Sequence, residues 1–277
     1  MQRVLVNTAV TLNVAFQVDG ADTDPAPDTA TVTVTRDDGT VLATAAATPS
    51  GTGGFLYTLS AGQNNQLDIL TAEWTSALGT LTTTTEVVGG FLFTIAQARA
   101  LNPLNNTTTY TTQQIIDART MVETALEDAC QVAFVPRYRR ESVNGSGSTE
   151  VQLSMPRVRS IRSATLDGTA LTVSELADIV PSGRIIYTAN TWTRGFGNYS
   201  ISYEHGYDTT PPRVSNAALL LARRYLVDSP VSDRATSLTT EDGTTQFLVT
   251  AGVRQAVFDI PEANAVVAQY GLNVCVA

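Results

Sequence analysis

The sequence predicts an α+β protein with more than one domain. Three observations support this prediction. Residues 1–90 consist of short segments, rich in Thr and Val, in which apolar and polar residues alternate, and the composition changes at Gly89-Gly90. After this point, two segments with the apolar spacing of a helix flank a second stretch of alternating apolar and polar residues. A chain of 277 residues is long enough for one large domain or two ordinary ones. We therefore place a domain boundary at residue 90.

Residues 1–90 predict a β-sandwich. The segment "VTLNVAFQV" alternates apolar and polar residues, "ATVTVTRDDGTVLATAAA" contains two strands about the turn Asp38-Gly39, and "FLYTLSA", "LTAEWTS" and "GTLTTTTEVV" follow at short spacing. About seven short strands separated by turn residues are typical of an immunoglobulin-like sandwich. Trp74 is expected in its core, the alternative being an exposed platform for a ligand.

Residues 91–277 predict a helical bundle that carries a β-insertion. The expected helices span residues 94–101, 112–134, 211–228 and 261–270. Thr94, Thr112 and Thr210 are the expected N-caps, and Pro136 is the expected stop of the second helix. Between the second and third helices, over about residues 137–206, the hydrophobic period falls to two and Gly-containing turn signals recur.

The third predicted helix is apolar on nearly all sides. One face is formed by Val214, Ala217, Ala218, Leu221 and Tyr225. The other faces are also largely Leu and Ala, so the helix must be covered on most sides, either within a bundle or by a neighbouring subunit. These five residues are therefore candidates for packing between subunits.

The charge distribution argues against binding to nucleic acid by the whole chain. The net charge is −9, and residues 1–90 hold two arginines against nine acidic residues. A protein that neutralises phosphates should be basic. One local exception is a cluster of Arg137, Arg139, Arg140, Arg157, Arg159 and Arg162. It is either a solvated face balanced by acids of a neighbouring helix or subunit, or a surface for DNA or an acidic partner.

No arrangement of residues predicts catalysis, a metal or a cofactor. His205 is the only histidine, and its neighbour Glu204 should point to the opposite face of a strand. A structural role at the strand-to-helix turn is expected for His205, with partner contact and catalysis as the alternatives. Cys130 and Cys275 are expected to be free thiols, because two isolated cysteines form neither a disulfide framework nor a zinc site. We expect no enzyme.

The chain is also expected to have neither a secretory signal nor a membrane span. Its first 20 residues alternate apolar and polar side chains, whereas a signal has a continuous apolar region. No stretch approaches the roughly 18 apolar residues of a spanning helix. The chain is therefore expected to be soluble and intracellular at synthesis.

Residues 91–277 resemble the head–tail connector (adaptor) proteins of long-tailed phages. The resemblance lies in "FTIAQARAL", a long helix ending in "VPRYRRE", "LSMPRVRSIRSATLDGTAL", "YEHGYDTTPPRVSNAALLLARRYLV" and "IPEANAVVAQYG", in this order. The use of arginine without lysine is similar to phages of actinobacterial hosts. Residues 1–90 depart from the minimal family pattern and look like an added module.

The resemblance implies a structural virion protein of the neck, assembled in the host cytoplasm. Its copies would form a ring, dodecameric in this family, that joins the portal protein to the tail-completion (stopper) protein. DNA would pass through the lumen without tight binding, and no membrane or cofactor would be involved. The third helix would pack between subunits of that ring.

The C-terminal arm, residues 238–277, has the hairpin signal Asp242-Gly243 with polar flanks, which suits docking by added strand pairing. In the family this region engages the portal. The resemblance therefore implies portal-docking residues, namely Leu238, Thr240, Glu241, Asp242, Thr244, Gln246, Phe247 and Val249.

An alternative hypothesis is a carbohydrate- or surface-binding protein that uses the N-terminal sandwich. It predicts exposed aromatic side chains in residues 1–90, where the candidates are Phe55, Tyr57 and Trp74.

Overall fold

The computed structural model describes residues 1–179, 182–227, 237–240, 243–246, 257, 258 and 260–271. Within these ranges the protein is mixed α+β, with most of its regular structure in strands and four α-helices. It forms two compact units, Met1–Phe91 with Ala133–Thr209, and Leu92–Val132 with Thr210–Ala277. The chain thus leaves the β-rich unit near the predicted boundary and re-enters it at Ala133. The division into domains 1–90 and 91–277 follows sequence order and stays a prediction.

Two packed sheets form the N-terminal part of the β-rich unit. Its strands are β1 (Gln2–Leu5), β2 (Val10–Ala15), β3 (Gln17–Val18), β4 (Ala21–Asp22), β5 (Ala30–Arg36), β6 (Val41–Ala46), β7 (Thr48–Pro49), β8 (Gly54–Leu59), β9 (Asp68–Ser76) and β10 (Gly79–Val88). A five-stranded sheet has the order β1-β10-β9-β5-β6, and a three-stranded sheet has the order β2-β8-β7. Both contribute to one hydrophobic core around Trp74. The immunoglobulin-like assignment stays a prediction.

Alternation of side chains explains this core. Along β5, Ala30, Val32 and Val34 are buried and the threonines between them face outward. Trp74 is completely buried, as predicted, and its indole Nε1 donates to Thr83 Oγ1 at 3.0 Å. The parallel pairing of β1 with β10 places Arg3 directly opposite Glu86.

The β-insertion supplies the rest of the β-rich unit. Its strands are β11 (Arg137–Gly145), β12 (Glu150–Gln152), β13 (Val158–Leu166), β14 (Thr169–Ala170), β15 (Leu176–Ile179), β16 (Arg184–Tyr187) and β17 (Gly195–His205). The sheet orders are β11-β17-β13-β14 and β12-β16-β15. Trp192 is fully buried in the core that these two sheets share. Its ring centroid lies 5.6 Å from that of Tyr187 and 4.8 Å from that of Tyr199.

The helical unit contains α1 (Ile95–Arg99), α2 (Thr112–Cys130), α3 (Pro212–Leu226) and α4 (Pro261–Tyr270). Helix α3 packs against the other three, and α2 also contacts α1 and α4. Their arrangement as a helical bundle stays a prediction. No helix in the described ranges is long and apolar enough to span a bilayer.

Local sequence explains where these helices begin and end. Thr94 caps α1 through a capping box with Gln97, as predicted. The predicted cap at Thr112 is wrong: Thr111 caps α2, because it lies three residues before Gln114, whose side chain returns the hydrogen bond. Helix α2 ends at Cys130, well before Pro136, because the next residue, Gln131, adopts a left-handed conformation (φ 55°).

The predicted cap of α3 at Thr210 is also wrong. Pro211 occupies the N-cap position with extended backbone (φ −60°, ψ 135°). A residue that precedes a proline is held extended, and Pro211 precedes Pro212, so the helix starts one residue later than the predicted cap allows.

Candidate assembly surfaces

The six clustered arginines lie on or beside strands β11 and β13 of the β-insertion. Each of them contacts an acidic or aromatic side chain of the β-rich unit. The pairs are Arg137–Glu86, Arg139–Glu141, Arg140–Asp37, Arg157–Tyr207, Arg159–Asp208 and Arg162–Glu204. Five of the six arginines therefore lie beside acids, but these acids stand on strands and loops of the β-rich unit and not on a neighbouring helix, where the sequence interpretation expected them.

Glu204 is the centre of one of these networks. Its carboxylate lies 2.6 Å from Arg162 Nη2 and 3.1 Å from Arg159 Nη1, and Arg159 Nε lies 2.7 Å from Asp208. A register shift in β13 between Val158 and Ser160 and another between Ile161 and Ser163 accompany this pairing with β17. The assignment of these arginines to a lumen stays a prediction.

A buried ion cluster joins the sandwich to the β-insertion. Glu86, on β10, is 1% exposed and accepts hydrogen bonds from Arg137 Nε at 2.5 Å, Arg137 Nη2 at 2.7 Å and Arg3 Nε at 3.2 Å. Next to it, Gly89 N donates to Pro136 O at 2.8 Å. Arg137 is the first residue of β11. The cluster therefore connects the first strand of the insertion to the last strand of the sandwich.

A second set of contacts continues this joint. Tyr138 Oη lies 3.0 Å from Asp37 Oδ2 and 3.1 Å from Ser202 Oγ, and burial raises the pKa of Tyr138 to about 12. Arg140 donates to Asp37 O at 2.9 Å, and Arg162 donates to Leu67 O at 2.5 Å. The sandwich and the β-insertion are thus held together through side chains on several strands.

His205 closes β17 as a buried, uncharged residue. It is 3% exposed, and burial lowers its pKa to about 3, with further contributions from the positive charges of Arg137 and Arg139. Glu204 faces the arginines while His205 faces the interior, so the two do not converge, as the strand period predicts. In the described residues no group of three or more His, Cys, Asp or Glu side chains is arranged to hold a metal.

Gly206 makes the turn after His205 with φ +102°, and a Cβ there would lie 2.2 Å from Val135 O. The next residue, Tyr207, stacks on Phe134, and their ring centroids are 5.7 Å apart. The Arg157 guanidinium lies over the Tyr207 ring, 3.8 Å from the ring centroid. An open cleft of about 510 Å³ lies here, lined by residues 157–159 and 206–209. We refer to it as the Tyr207 cleft.

Most of the predicted subunit-packing face of α3 is used within the helical unit. Val214, Ala217, Ala218 and Leu221 are buried, whereas Tyr225 is 50% exposed. The role of these five residues between subunits stays a prediction. The buried Cys130 is a free thiol as predicted, and burial raises its pKa to about 11. Cys275 lies outside the described residues.

The described part of the C-terminal arm includes helix α4 and two short strands, β18 (Ser237–Thr240) and β19 (Gly243–Gln246). They pair antiparallel, so the predicted hairpin is present, but Gly243 is the first residue of β19, opposite Thr240, and not part of the turn as predicted. The backbone positions of Leu238, Thr240, Thr244 and Gln246 therefore lie in the hairpin. Glu241, Asp242, Phe247 and Val249 lie outside the described residues, and portal docking by this arm stays a prediction.

The aromatic side chains required by the alternative binding hypothesis are not exposed. All of residues 1–90 are described, and there Phe16, Phe55 and Trp74 are at most 2% exposed while Tyr57 is partly buried. The expected aromatic recognition face on the sandwich is therefore absent.

Sequence reasoning missed the residues that hold the β-rich unit together and its most exposed aromatic. Glu86 and Asp37 could not be matched to Arg137 and Tyr138, which lie 51 and 101 residues away. The exposure of Phe196 could have been predicted, because this residue stands between two glycines in "RGFGN" and no side chain next to it in the sequence can cover it.

No protein-family model matches the chain, and no curated protein matches it. Among solved structures, the chain is similar to a protein in the neck of an empty gene transfer agent (GTA) particle computed with C6 symmetry. The identity is 14%, the match covers 67% of this chain and 93% of that chain, and the TM-score is 0.45. It is also similar to a chain of the ZIG-8–RIG-5 IG1–IG1 heterodimer, at 11% identity, 31% and 79% coverage and a TM-score of 0.21. Similarity at this level assigns no family and no function.

Proposed function

We propose that this chain is a structural connector of the neck of a tailed phage or phage-like particle, where its copies form a ring between the portal vertex and the tail. One observation supports this most strongly. The helical unit is assembled from two separate segments, α1 and α2 before the β-insertion and α3 and α4 after it. This is the arrangement that the resemblance to head–tail adaptor proteins implies, and the quoted motifs fall on those helices and on the β-insertion between them.

The charges of the β-rich unit support passage of DNA without tight binding. The clustered arginines are paired with acids or stacked on tyrosine, and the whole chain carries a net charge of −9. Each unpaired arginine that met a phosphate would add salt-dependent affinity and slow the DNA. The dodecameric state, the portal and stopper partners and assembly in the host cytoplasm are carried over from the resemblance.

The N-terminal sandwich is, in this proposal, a fixed part of the neck. Glu86, Tyr138 and Arg162 bind it to the β-insertion, so its orientation follows that of the insertion. We propose no catalytic activity for the chain.

The C-terminal arm offers a direct test of portal engagement. A chain that lacks residues 238–246 but keeps α4 is expected to lose capture by immobilised portal protein, because the hairpin that would add strand pairing is removed. The matched control replaces Thr239 and Thr245 with serine, which keeps the hairpin backbone. Full portal binding by the chain without residues 238–246 would contradict the role of the arm, and failure of the intact chain to bind would contradict portal engagement itself.

A further inference from the structure

Helix α2 carries a row of exposed side chains on its outer face. They recur at the spacing i, i+4, i+7 and i+11, which places them in one line along the helix: Asp117, Met121, Thr124 and Asp128. Met121 is 59% exposed and lies between the two acids. Within the described residues no cation pairs with either acid, and Asp117 Oδ1 accepts from the neutral side chain of Gln113 at 2.8 Å. We refer to this row as the α2 stripe.

Helix α3 carries a row of the opposite charge, the α3 stripe. Its members recur at i, i+3, i+7 and i+10: Arg213, Asn216, Leu220 and Arg223. All are exposed except Leu220, which is partly exposed. Arg213 Nη1 donates to Gln269 Oε1 at 2.8 Å, and Arg223 Nε donates to the backbone oxygen of Asn102 at 2.9 Å. Both acceptors are neutral, so each guanidinium is held in place and keeps further N–H groups for a carboxylate.

These arginines differ from those of the β-insertion. In the described ranges no acid pairs with Arg213 or Arg223, whereas five of the six arginines on or beside β11 and β13 lie beside acids of their own unit. The acids that would balance the α3 stripe are therefore to be sought on a neighbouring molecule.

The two stripes cannot meet within one chain. Helices α2 and α3 pack on each other through their inner faces, which include Val122 and Leu126 on α2 and Ala217 and Leu221 on α3. The stripes lie on the opposite sides of the same helices. A neighbour of the α2 stripe must therefore come from outside the helical unit.

We infer that the α2 stripe of one copy packs antiparallel against the α3 stripe of a second copy. The facing pairs are Asp117–Arg223, Met121–Leu220, Thr124–Asn216 and Asp128–Arg213. The stripes match in length, about 16 Å and about 15 Å at roughly 1.5 Å per residue. In this register both acids meet arginines, and the apolar side chains meet each other. A parallel register would set Met121 against Asn216, so the antiparallel register is selected.

The charges and the apolar centre have different roles in this contact. Exposed ion pairs contribute little to affinity, but like charges in their place are strongly unfavourable, so the four charged residues set the partner and the register. Burial of Met121 and Leu220 adds affinity. Because the two stripes are different surfaces, the contact is head-to-tail, and its repetition closes a ring when the rotation allows. The inference rests on the proposed ring and names one contact within it.

The test uses the full-length chain in two charge-reversed forms. One form carries Asp117→Arg with Asp128→Arg, and the other carries Arg213→Glu with Arg223→Glu; all four positions are exposed. Each form alone places like charges at both ends of the contact. Its self-association, followed by sedimentation velocity, is expected to need a concentration at least about 30-fold higher than that of the wild type.

An equimolar mixture of the two forms is expected to recover assembly to within about threefold of the wild type. In the mixture, the reversed α2 stripe of one form meets the reversed α3 stripe of the other, and the two unmodified stripes also match. Recovery would show in addition that both forms are folded. The matched control carries Asp28→Arg with Glu73→Arg, which changes the net charge equally at exposed positions of the sandwich and should assemble as the wild type does.

Three results would overturn the inference. They are self-association of either reversed form at the wild-type concentration, a mixture that does not recover, and a wild-type chain that stays monomeric at about 100 µM. If the reversed forms self-associated normally but failed to enter particles, the stripes would contact a different protein and the second copy would be excluded.

These outcomes separate the contact from the proposed function. Rings formed equally by the unmodified chain and by the two reversed forms would leave the connector role intact and remove only this contact. Absence of the unmodified chain from the neck of particles would contradict the connector role, whatever the variants do in solution.

Discussion

Replacing Glu86 with alanine is expected to lower the free energy of unfolding of the β-rich unit by about 3–5 kcal/mol, the usual cost of removing one partner from a buried ion pair. Glu86 is 1% exposed and the side chains of Arg3 and Arg137 are 6% and 19% exposed, so water cannot replace the lost carboxylate at little cost. Urea unfolding followed by tryptophan fluorescence measures this effect selectively, because both tryptophans, Trp74 and Trp192, lie in the β-rich unit.

The matched control is Glu73→Ala. Glu73 lies on the neighbouring strand β9 but is exposed, so its loss should change the free energy of unfolding by no more than about 0.5 kcal/mol. Equal stabilities of the two variants would show that the cluster does not fasten the sandwich to the insertion.

Lowering the pH from 7 to 5 is expected to reduce the stability of the β-rich unit by about 2 kcal/mol through His205 alone. Burial lowers the pKa of folded His205 to about 3, whereas an unfolded histidine titrates near 6.5. Between these values the unfolded chain binds a proton that the folded chain does not. The contribution of His205 is therefore fully present above pH 6.5 and is lost as the pH falls towards 3.

The measurement is urea unfolding at pH 7, 6 and 5, monitored by tryptophan fluorescence, for the wild type and for His205→Asn. The variant should be less stable at pH 7 because a buried ring is lost, but its stability should change less between pH 7 and 5. His205 is the only histidine in the chain, so no other side chain with an ordinary pKa titrates near pH 6. Parallel pH profiles for the two proteins would contradict a neutral, buried His205.

Local signals were sufficient to predict the elements of the fold. Alternation placed the strands of the sandwich and of the β-insertion, and helical periods placed α2 and α3 within a few residues. The errors lie at helix ends, where neighbouring residues compete. Thr111, and not Thr112, is the N-cap of α2 because Gln114 stands three residues after Thr111 and completes the capping box. Pro211, and not Thr210, is the N-cap of α3 because Pro212 holds Pro211 in an extended conformation.

The pairing of distant residues could not be predicted in this way. A run of arginines gives no indication of which acids it will meet, and here Arg137, Arg140 and Arg162 contact strands or loops of the sandwich. The cluster looks like a free basic stripe in the sequence, but in the folded chain five of its six arginines lie beside a carboxylate and Arg157 stacks on Tyr207. The Tyr207 cleft was likewise hidden, because Phe134, Arg157 and Tyr207 meet only after β17 returns beside β11 and β13.

The measurement that tests the connector role most directly is immunogold electron microscopy of intact particles with an antibody raised against residues 1–90. The proposed connector role predicts label confined to the vertex where head and tail meet. Label along the tail or over the capsid, or absence of the chain from particles, would contradict it.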